Sequence, residues 1–421
     1  MDNGLPARVA VLGPVDRVLW RLQGDRDLRP TIAVLAYLDG PPNDAALRQW
    51  HEEVLLTDPR FASRARRWPA RWEPDPDFSL KAHVVRFSAP SDDGAELDRL
   101  VQSLVDIPFA PDAPPWRAYV VDGLPGGTSL YLLTLAHAMS DGLRLVDLLT
   151  RRRGVRGPSA RHDSWSVRAK RWLRFAGTAT QGVWTPARKA ARGYAYSPLR
   201  RFGFVEIPLA GLKAAADATG STVNHVFLTA LGRGVVRYFH EVRNISVPDL
   251  TLLSVVGHPR PRLEHVGNDF GLARLTIPVS DQGIPESVHA VRAAVEAIGD
   301  RAAVDWLAST AKLAPLLPTG LVRAGLKRFA RSHDLVVSNL PAGGGTVTIG
   351  GREMTRVFGI APLPSTAMAV TLVSYRGQCH ITLNIDPAAL PNLPALTMAI
   401  RRSLEETSAW GTAAAEGGQP G

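Results

Sequence analysis

A chain of 421 residues with 45% hydrophobic content and a mean hydropathy of −0.03 can bury a sizeable core and exceeds one average domain. It has no run of 18 apolar residues and no charged-then-apolar leader, which excludes a spanning helix and points to the cytoplasm. The single cysteine, Cys379, excludes an internal disulfide and a cysteine-based zinc site.

Residues 1–150 mix short elements. Hydrophobic spacing predicts helices over 15–22, 44–55 and 94–105, and strands over 31–38, 83–87, 117–121 and 129–136. The last strand alternates, with Ser129, Tyr131, Leu133 and Leu135 on one face and Leu130, Leu132, Thr134 and Ala136 on the other. After Gly142 the spacing turns helical, through Leu145, Val146 and Leu149. His137 therefore stands where a strand ends and a helix is about to begin, and Asp141 stands where that helix needs a cap. Ends of this kind face clefts, where an imidazole can act as a base on a bound substrate.

The segment 151–203 is compositionally apart. It holds 14 Lys or Arg against one acid, Asp163, so its charge of +13 exceeds the +10 of the whole chain. Trp165, Ala169, Trp172, Ala176, Ala179 and Val183 recur at three- or four-residue spacing, and Arg168, Arg171 and Arg174 lie largely off that stripe. This is the pattern of a cationic amphipathic helix, open to three readings. It packs its tryptophans on the body, lies on an anionic membrane surface, or attracts an acidic carrier protein or coenzyme A phosphates. No nucleic-acid motif accompanies the charge.

Beyond residue 204 a similar mixture recurs. Strands are predicted over 204–208, 250–256, 346–349, 368–375 and 380–385, and helices over 222–239, 285–298 and 394–407. The tail 411–421 is small and polar enough for disorder. Asn224 reads either as a helix-start cap or as a polar group lining a tunnel, and Ser338 and Asn339 as ligand contacts or turn formers. Ser140 reads more simply as a loop or cap residue. His225, His258, His265 and His333 lack partners at metal-ligand spacing, so no metal site is expected. There is no Gly-x-Ser-x-Gly elbow, and Cys379 sits in a strand-like stretch without catalytic company, which argues against an acyl-enzyme.

The His137-x-x-x-Asp141-Gly142 stretch resembles the active-site signature of the wax ester synthase/diacylglycerol acyltransferase family, within the superfamily of chloramphenicol acetyltransferases and condensation domains. Further landmarks follow in family order: Leu12-Gly-Pro-Val-Asp16, Pro59-Arg60-Phe61, Pro115-Trp116, Thr222-Val223-Asn224, Gly267-Asn268 and Val337-Ser338-Asn339-Leu340-Pro341. Three positions depart. The first of the family's two adjacent histidines is Ala136, the Asp after Asn224 is His225, and the run after Pro341 is Ala-Gly-Gly-Gly.

The resemblance implies an α/β, condensation-domain-like fold. Two acetyltransferase-like subdomains, 1–150 and 204–410, would form a V around a central tunnel, joined by 151–203. It implies acyl transfer from acyl-coenzyme A or a phosphopantetheine thioester, as co-substrate and not bound cofactor, to a hydroxyl or amine of a small molecule or lipid. His137 would be the general base and Asp141 structural support, with Gly142 allowing close approach and Ser140, Asn224, Ser338 and Asn339 in substrate-binding positions. Two alternatives stand beside it: condensation or cyclisation on carrier-bound intermediates, and a binding module that keeps the fold without the chemistry.

Overall fold

Alternating apolar strands in both halves of the chain build two six-stranded sheets. The computed structural model describes residues 11–28, 30–67, 70–90, 93–150, 194–257, 268, 270–279, 282–298, 311–312 and 314–417. The first sheet takes β1 (Thr31–Leu38), β4 (Val84–Ser88), β5 (Trp116–Asp122) and β6 (Ser129–Ala136) from the N-terminal part. It adds β11 (Thr348–Ile349) and β12 (Arg352–Ile360) from far downstream, in the order β11-β12-β1-β6-β5-β4. The second sheet orders β7 (Arg201–Pro208), β14 (Gln378–Ile385), β13 (Met368–Tyr375), β10 (Leu335–Gly343), β8 (Asp249–Gly257) and β9 (Phe270–Pro278). A separate hairpin joins β2 (Ser63–Arg66) to β3 (Arg71–Pro74).

All eight residues of β6 are buried, because apolar side chains cover both its faces. It pairs antiparallel with β1, Thr31 opposite Ala136, and β1 pairs on its other edge with β12, Ala33 opposite Ile360. A strand contributed by the C-terminal part thus closes the sheet that carries the end of β6. At Gly359 a Cβ would sit 2.9 Å from Thr371 Cγ2, so a side chain there would collide where β12 passes β13.

Helices Leu209–Ala218, Val223–Arg243 and Leu393–Ala415 pack on the second sheet through Leu212, Phe227, Leu231, Leu396 and Ile400. The last of these runs beyond the predicted end at 407, and residues 411–415, expected to be a loose tail, are helical. The reason is contact. Gly411 is buried, and a Cβ there would lie 2.4 Å from the backbone nitrogen of Ala215, so its lack of a side chain admits a neighbouring helix. Residues 418–421 and the predicted amphipathic stretch within 151–193 lie outside the described residues. Among the described residues no helix is long and apolar enough to cross a membrane.

The helix predicted over 44–55 is α-helical only for Asp44–Trp50 and continues as a π-helix over His51–Leu55. His51 is fully buried there: Nδ1 donates to the Leu47 carbonyl at 2.7 Å, and Nε2 accepts from the Tyr131 hydroxyl at 2.9 Å. Burial pushes its pKa down to about 4, and burial does the same to His380 on β14. Both rings are thus neutral when folded and take up a proton more readily when unfolded. Their contribution to stability is complete above pH ~6.5 and fades by about 1.4 kcal/mol per pH unit for each as pH falls towards 4. Denaturant titrations at pH 7 and pH 5 should show a clearly lower midpoint at pH 5; equal midpoints would contradict this account.

Candidate active site

The end of β6 is pinned from two sides. The Ala136 amide donates to the Pro115 carbonyl at 2.9 Å, and the His137 amide donates to that of Pro30 at 2.7 Å. The chain then turns, Met139 N donating to Ala136 O at 2.8 Å, and enters helix Gly142–Thr150. Asp141 starts that helix: its Oδ1 accepts from the Arg144 amide at 2.8 Å and its carbonyl from Leu145 N at 2.9 Å. The strand–turn–helix expected around His137 is therefore present, with Asp141 as its N-cap.

One residue from a distant part of the chain meets the imidazole, and a second stands behind it. Asn268, just before β9, places its Oδ1 3.0 Å from His137 Nδ1. Its Nδ2 donates to the His137 carbonyl at 2.7 Å and to Asp16 Oδ1 at 2.6 Å, and its backbone amide donates to the same carboxylate oxygen at 3.1 Å. Asp16, on helix Pro14–Leu22, is 1% exposed, and its other oxygen accepts from Gly13 N at 3.2 Å. Burial raises the Asp16 pKa above the usual carboxylate value, although the bonds from Asn268 pull the other way. Sequence reading marked both residues only as landmarks and assigned them no part in a site.

A cavity of about 230 Å³ opens beside this cluster. It lies between the two sheets, bounded by Ile32 and Val34 of β1, Val357 and Ile360 of β12, Leu253 of β8 and Val336 of β10. Val18 and Leu22 of helix Pro14–Leu22, Leu145 and Leu149 of helix Gly142–Thr150, and Leu326 and Phe329 of helix Thr319–Arg331 complete the walls. His137, Asp141, Gly142 and Ser338 also line it, and His137 carries the one imidazole among the described lining residues. The space suits an alkyl chain, with a single basic group at its wall.

The remaining candidates divide. Gly142 lies on the wall, where a Cβ would press on Leu340 Cδ1 at 3.1 Å. Ser140 is buried, bonds the Asp141 carbonyl at 3.2 Å and is not among the lining residues, which fits the loop reading. Ser338 and Asn339 alternate along β10, so only Ser338 reaches the cavity wall; Asn339 Nδ2 instead donates to Asn224 Oδ1 at 3.3 Å. Asn224 is not the helix cap. That position belongs to Thr222, whose hydroxyl accepts from His225 N at 3.3 Å while His225 Nδ1 accepts from Thr222 N at 3.4 Å. The imidazole closes a reciprocal capping box, so the departure at His225 has a local structural reason.

Comparison with known proteins decides the family. The wax ester synthase/diacylglycerol acyltransferase catalytic domain matches residues 12–167, and the WS/DGAT C-terminal domain matches residues 266–408. The chain belongs to the wax ester synthase/diacylglycerol acyltransferase family. It is an acyltransferase. A putative diacylglycerol O-acyltransferase of Mycobacterium tuberculosis is 26% identical, covering 94% of this chain and 91% of its own length. The wax ester synthase/diacylglycerol acyltransferase of Marinobacter aquaeolei superposes with a TM-score of 0.68 at 17% identity, over 96% of this chain and all (100%) of its own. A mutant starter condensation domain of rhizomide synthetase, solved with C8-CoA and Leu-SNAC, gives 0.62 at 15% identity, covering 96% and 94%. The fold is thus the condensation-domain-like α/β architecture expected from the sequence.

The cap at Asp141 leads to a direct test. Asp141→Ala should lower stability by about 1 kcal/mol or more, and Asp141→Asn, which keeps a capping oxygen, should retain most of it. Urea denaturation of the two variants measures the difference, and equal losses would remove capping as the cause.

Proposed function

We propose that this acyltransferase moves a fatty acyl group from a thioester to the hydroxyl of a lipid or small-molecule acceptor, with His137 as general base. The observation that carries the reading is one imidazole on the wall of an otherwise largely apolar cavity between the two sheets. An alkyl chain gains about 0.8 kcal/mol per buried methylene in such a space, so the cavity binds the acyl group and leaves the thioester carbonyl beside the histidine. We read 1–150 and 204–410 as the two subdomains flanking that tunnel.

In this mechanism His137 Nε2 accepts the acceptor's proton as its oxygen attacks the thioester carbonyl. A C–O bond forms, the tetrahedral intermediate collapses, the C–S bond breaks, and the thiolate leaves with the proton that His137 returns. A thiolate departs without a strong acid, so one base serves both half-steps. Holding donor and acceptor at one carbonyl supplies much of the remaining advantage. Asp141 fixes the turn that presents the base, and Gly142 keeps the wall clear.

Support for coenzyme A as donor carrier comes from the rhizomide synthetase domain, which was solved with C8-CoA. Support for a diacylglycerol or similar alcohol as acceptor comes from the names of the Mycobacterium relatives. Thiol release from a panel of acyl-coenzyme A donors with long-chain alcohols or diacylglycerol tests the reading. His137→Ala should lose about 10²- to 10⁴-fold in rate. Equal release by both proteins would remove His137 from the chemistry. Activity appearing only with a loaded carrier protein would favour condensation on carrier-bound intermediates.

Segment 151–203, with its charge of +13, is assigned to meeting anionic partners, the face of an anionic membrane first among them. The chain would then work in the cytoplasm and at the membrane surface. Co-sedimentation with vesicles of acidic phospholipid at low salt is the expected result, weakening as salt rises. No binding at low salt would withdraw the membrane assignment.

A further inference from the structure

We infer that Asn268 and Asp16 are positioning residues that fix the tautomer and orientation of His137, so that the base is assembled from both halves of the chain. The inference rests on the reading of His137 as base and adds what prepares it.

The hydrogen-bond geometry dictates the protonation pattern. The Nδ2 group of Asn268 faces two oxygens that can only accept, the His137 carbonyl at 2.7 Å and the Asp16 carboxylate at 2.6 Å. An amide turned the other way would set oxygen against oxygen at both contacts. The NH₂ group must therefore occupy that side, and both its protons are used. That leaves Oδ1, an acceptor, 3.0 Å from His137 Nδ1. Nδ1 must carry the ring proton, and the lone pair of the neutral imidazole falls on Nε2. An imidazole in water prefers the opposite tautomer, with the proton on Nε2, so the network holds the ring in the form that can accept a proton there.

Asp16 is what holds the amide. Its Oδ1 accepts both the side-chain and backbone N–H groups of Asn268, while Gly13 N donates to its Oδ2. The carboxylate is buried and one residue removed from the ring, so it fixes the amide without placing a formal charge against Nδ1. A carboxylate in the place of Asn268 would favour the imidazolium and raise the pKa of the base. The amide orients the ring without setting a formal charge against it. Asp16 comes from the first helix, His137 from the end of β6 and Asn268 from just before β9, so the competent tautomer exists only when these distant segments are together.

The test uses the full chain carrying ¹⁵N-histidine, with the His137 ring assigned by its absence in His137→Gln. The wild type should show an Nε2 signal of the unprotonated type at neutral pH. In Asn268→Ala the ring should revert towards the Nε2–H form, with kcat down about 10²-fold, acyl-coenzyme A KM within about twofold, and the acidic limb of kcat/KM displaced. Asp16→Ala should move the same signals in the same direction. Asp16→Asn, which keeps an acceptor for Asn268, should recover part of the rate. Should Asp16→Ala fail to fold, the Asn268→Ala and Asp16→Asn pair carries the comparison.

An unchanged Nε2 signal and a kcat within about twofold of wild type in Asn268→Ala would overturn the inference. Loss of activity in Asn268→Ala with an unchanged tautomer would also overturn it, because the amide would then act by another route. Retained activity in His137→Ala would instead strike the general-base reading, while the tautomer measurement still reports on the network by itself.

Discussion

The pairing of β12 with β1 is the constraint on which the rest of the site depends. β12 lies more than 300 residues along the chain from β1, yet six of its residues pair with Ala33–Leu38, from Ile360 opposite Ala33 to Met354 opposite Leu38. Without that seam β1 would be an edge strand, and the end of β6 would rest on a sheet open to water. With it, the first sheet is continued by a strand whose chain passes directly into β13 of the second. The cavity is the space left where the two sheets part. Gly359 lets β12 pass close to β13, because the methyl of Thr371 occupies the place a side chain would need.

A cavity made this way has walls of Val, Leu, Ile and Phe, since each wall is the inner face of an element whose other face supplies a core. Such surroundings are poor for a charge, and the groups that reach them are fitted accordingly. His137 meets an amide oxygen in place of a carboxylate, and Asp141 spends an oxygen on a backbone amide. The carboxylate of Asp16 is set back behind Asn268. The imidazole and the Asp141 carboxylate are thereby each held by a short bond, and the Asp16 carboxylate stands one residue away from the ring.

The parts legible in the sequence were those fixed by nearby residues. The strand over 129–136 is observed as predicted because its alternation is local, and His137 follows it by one position. Helix Gly142–Thr150 and the cap at Asp141 were legible for the same reason. The pattern was silent on β12, whose sequence Arg-Glu-Met-Thr-Arg-Val-Phe-Gly-Ile mixes charge with apolar residues because only its second half is buried throughout. Helix Leu209–Ala218 also went unread, its alanines and glycine being chosen for close approach to a neighbouring helix at Gly211 and Gly411. Asn268 lies 131 residues from His137 and 252 from Asp16, a distance at which spacing carries no signal. The available trace was that Asp16 and Asn268 both fell inside motif landmarks.

The departures from the family pattern follow from the same separation between the cavity side and the core side. Ala136 is fully buried in the cluster that includes Trp116, Leu133 and Leu145, and it is not among the residues of the cavity wall. An imidazole there would have to be fitted into packed apolar surroundings, at a desolvation cost of the kind that pushes His51 down to about 4. Alanine at 136 relieves that packing and leaves the next residue, whose ring meets Asn268, untouched. His225 likewise serves the helix start at Thr222, with its pKa lowered by burial, so its ring remains the neutral acceptor that the capping box requires. Both substitutions act on scaffold positions, one packing and one capping, while the imidazole on the cavity wall and the amide and carboxylate behind it stay together. Variation at 136 and 225 therefore bears on how the site is supported, and variation at 16, 137 and 268 on the hydrogen-bonded cluster at the cavity wall.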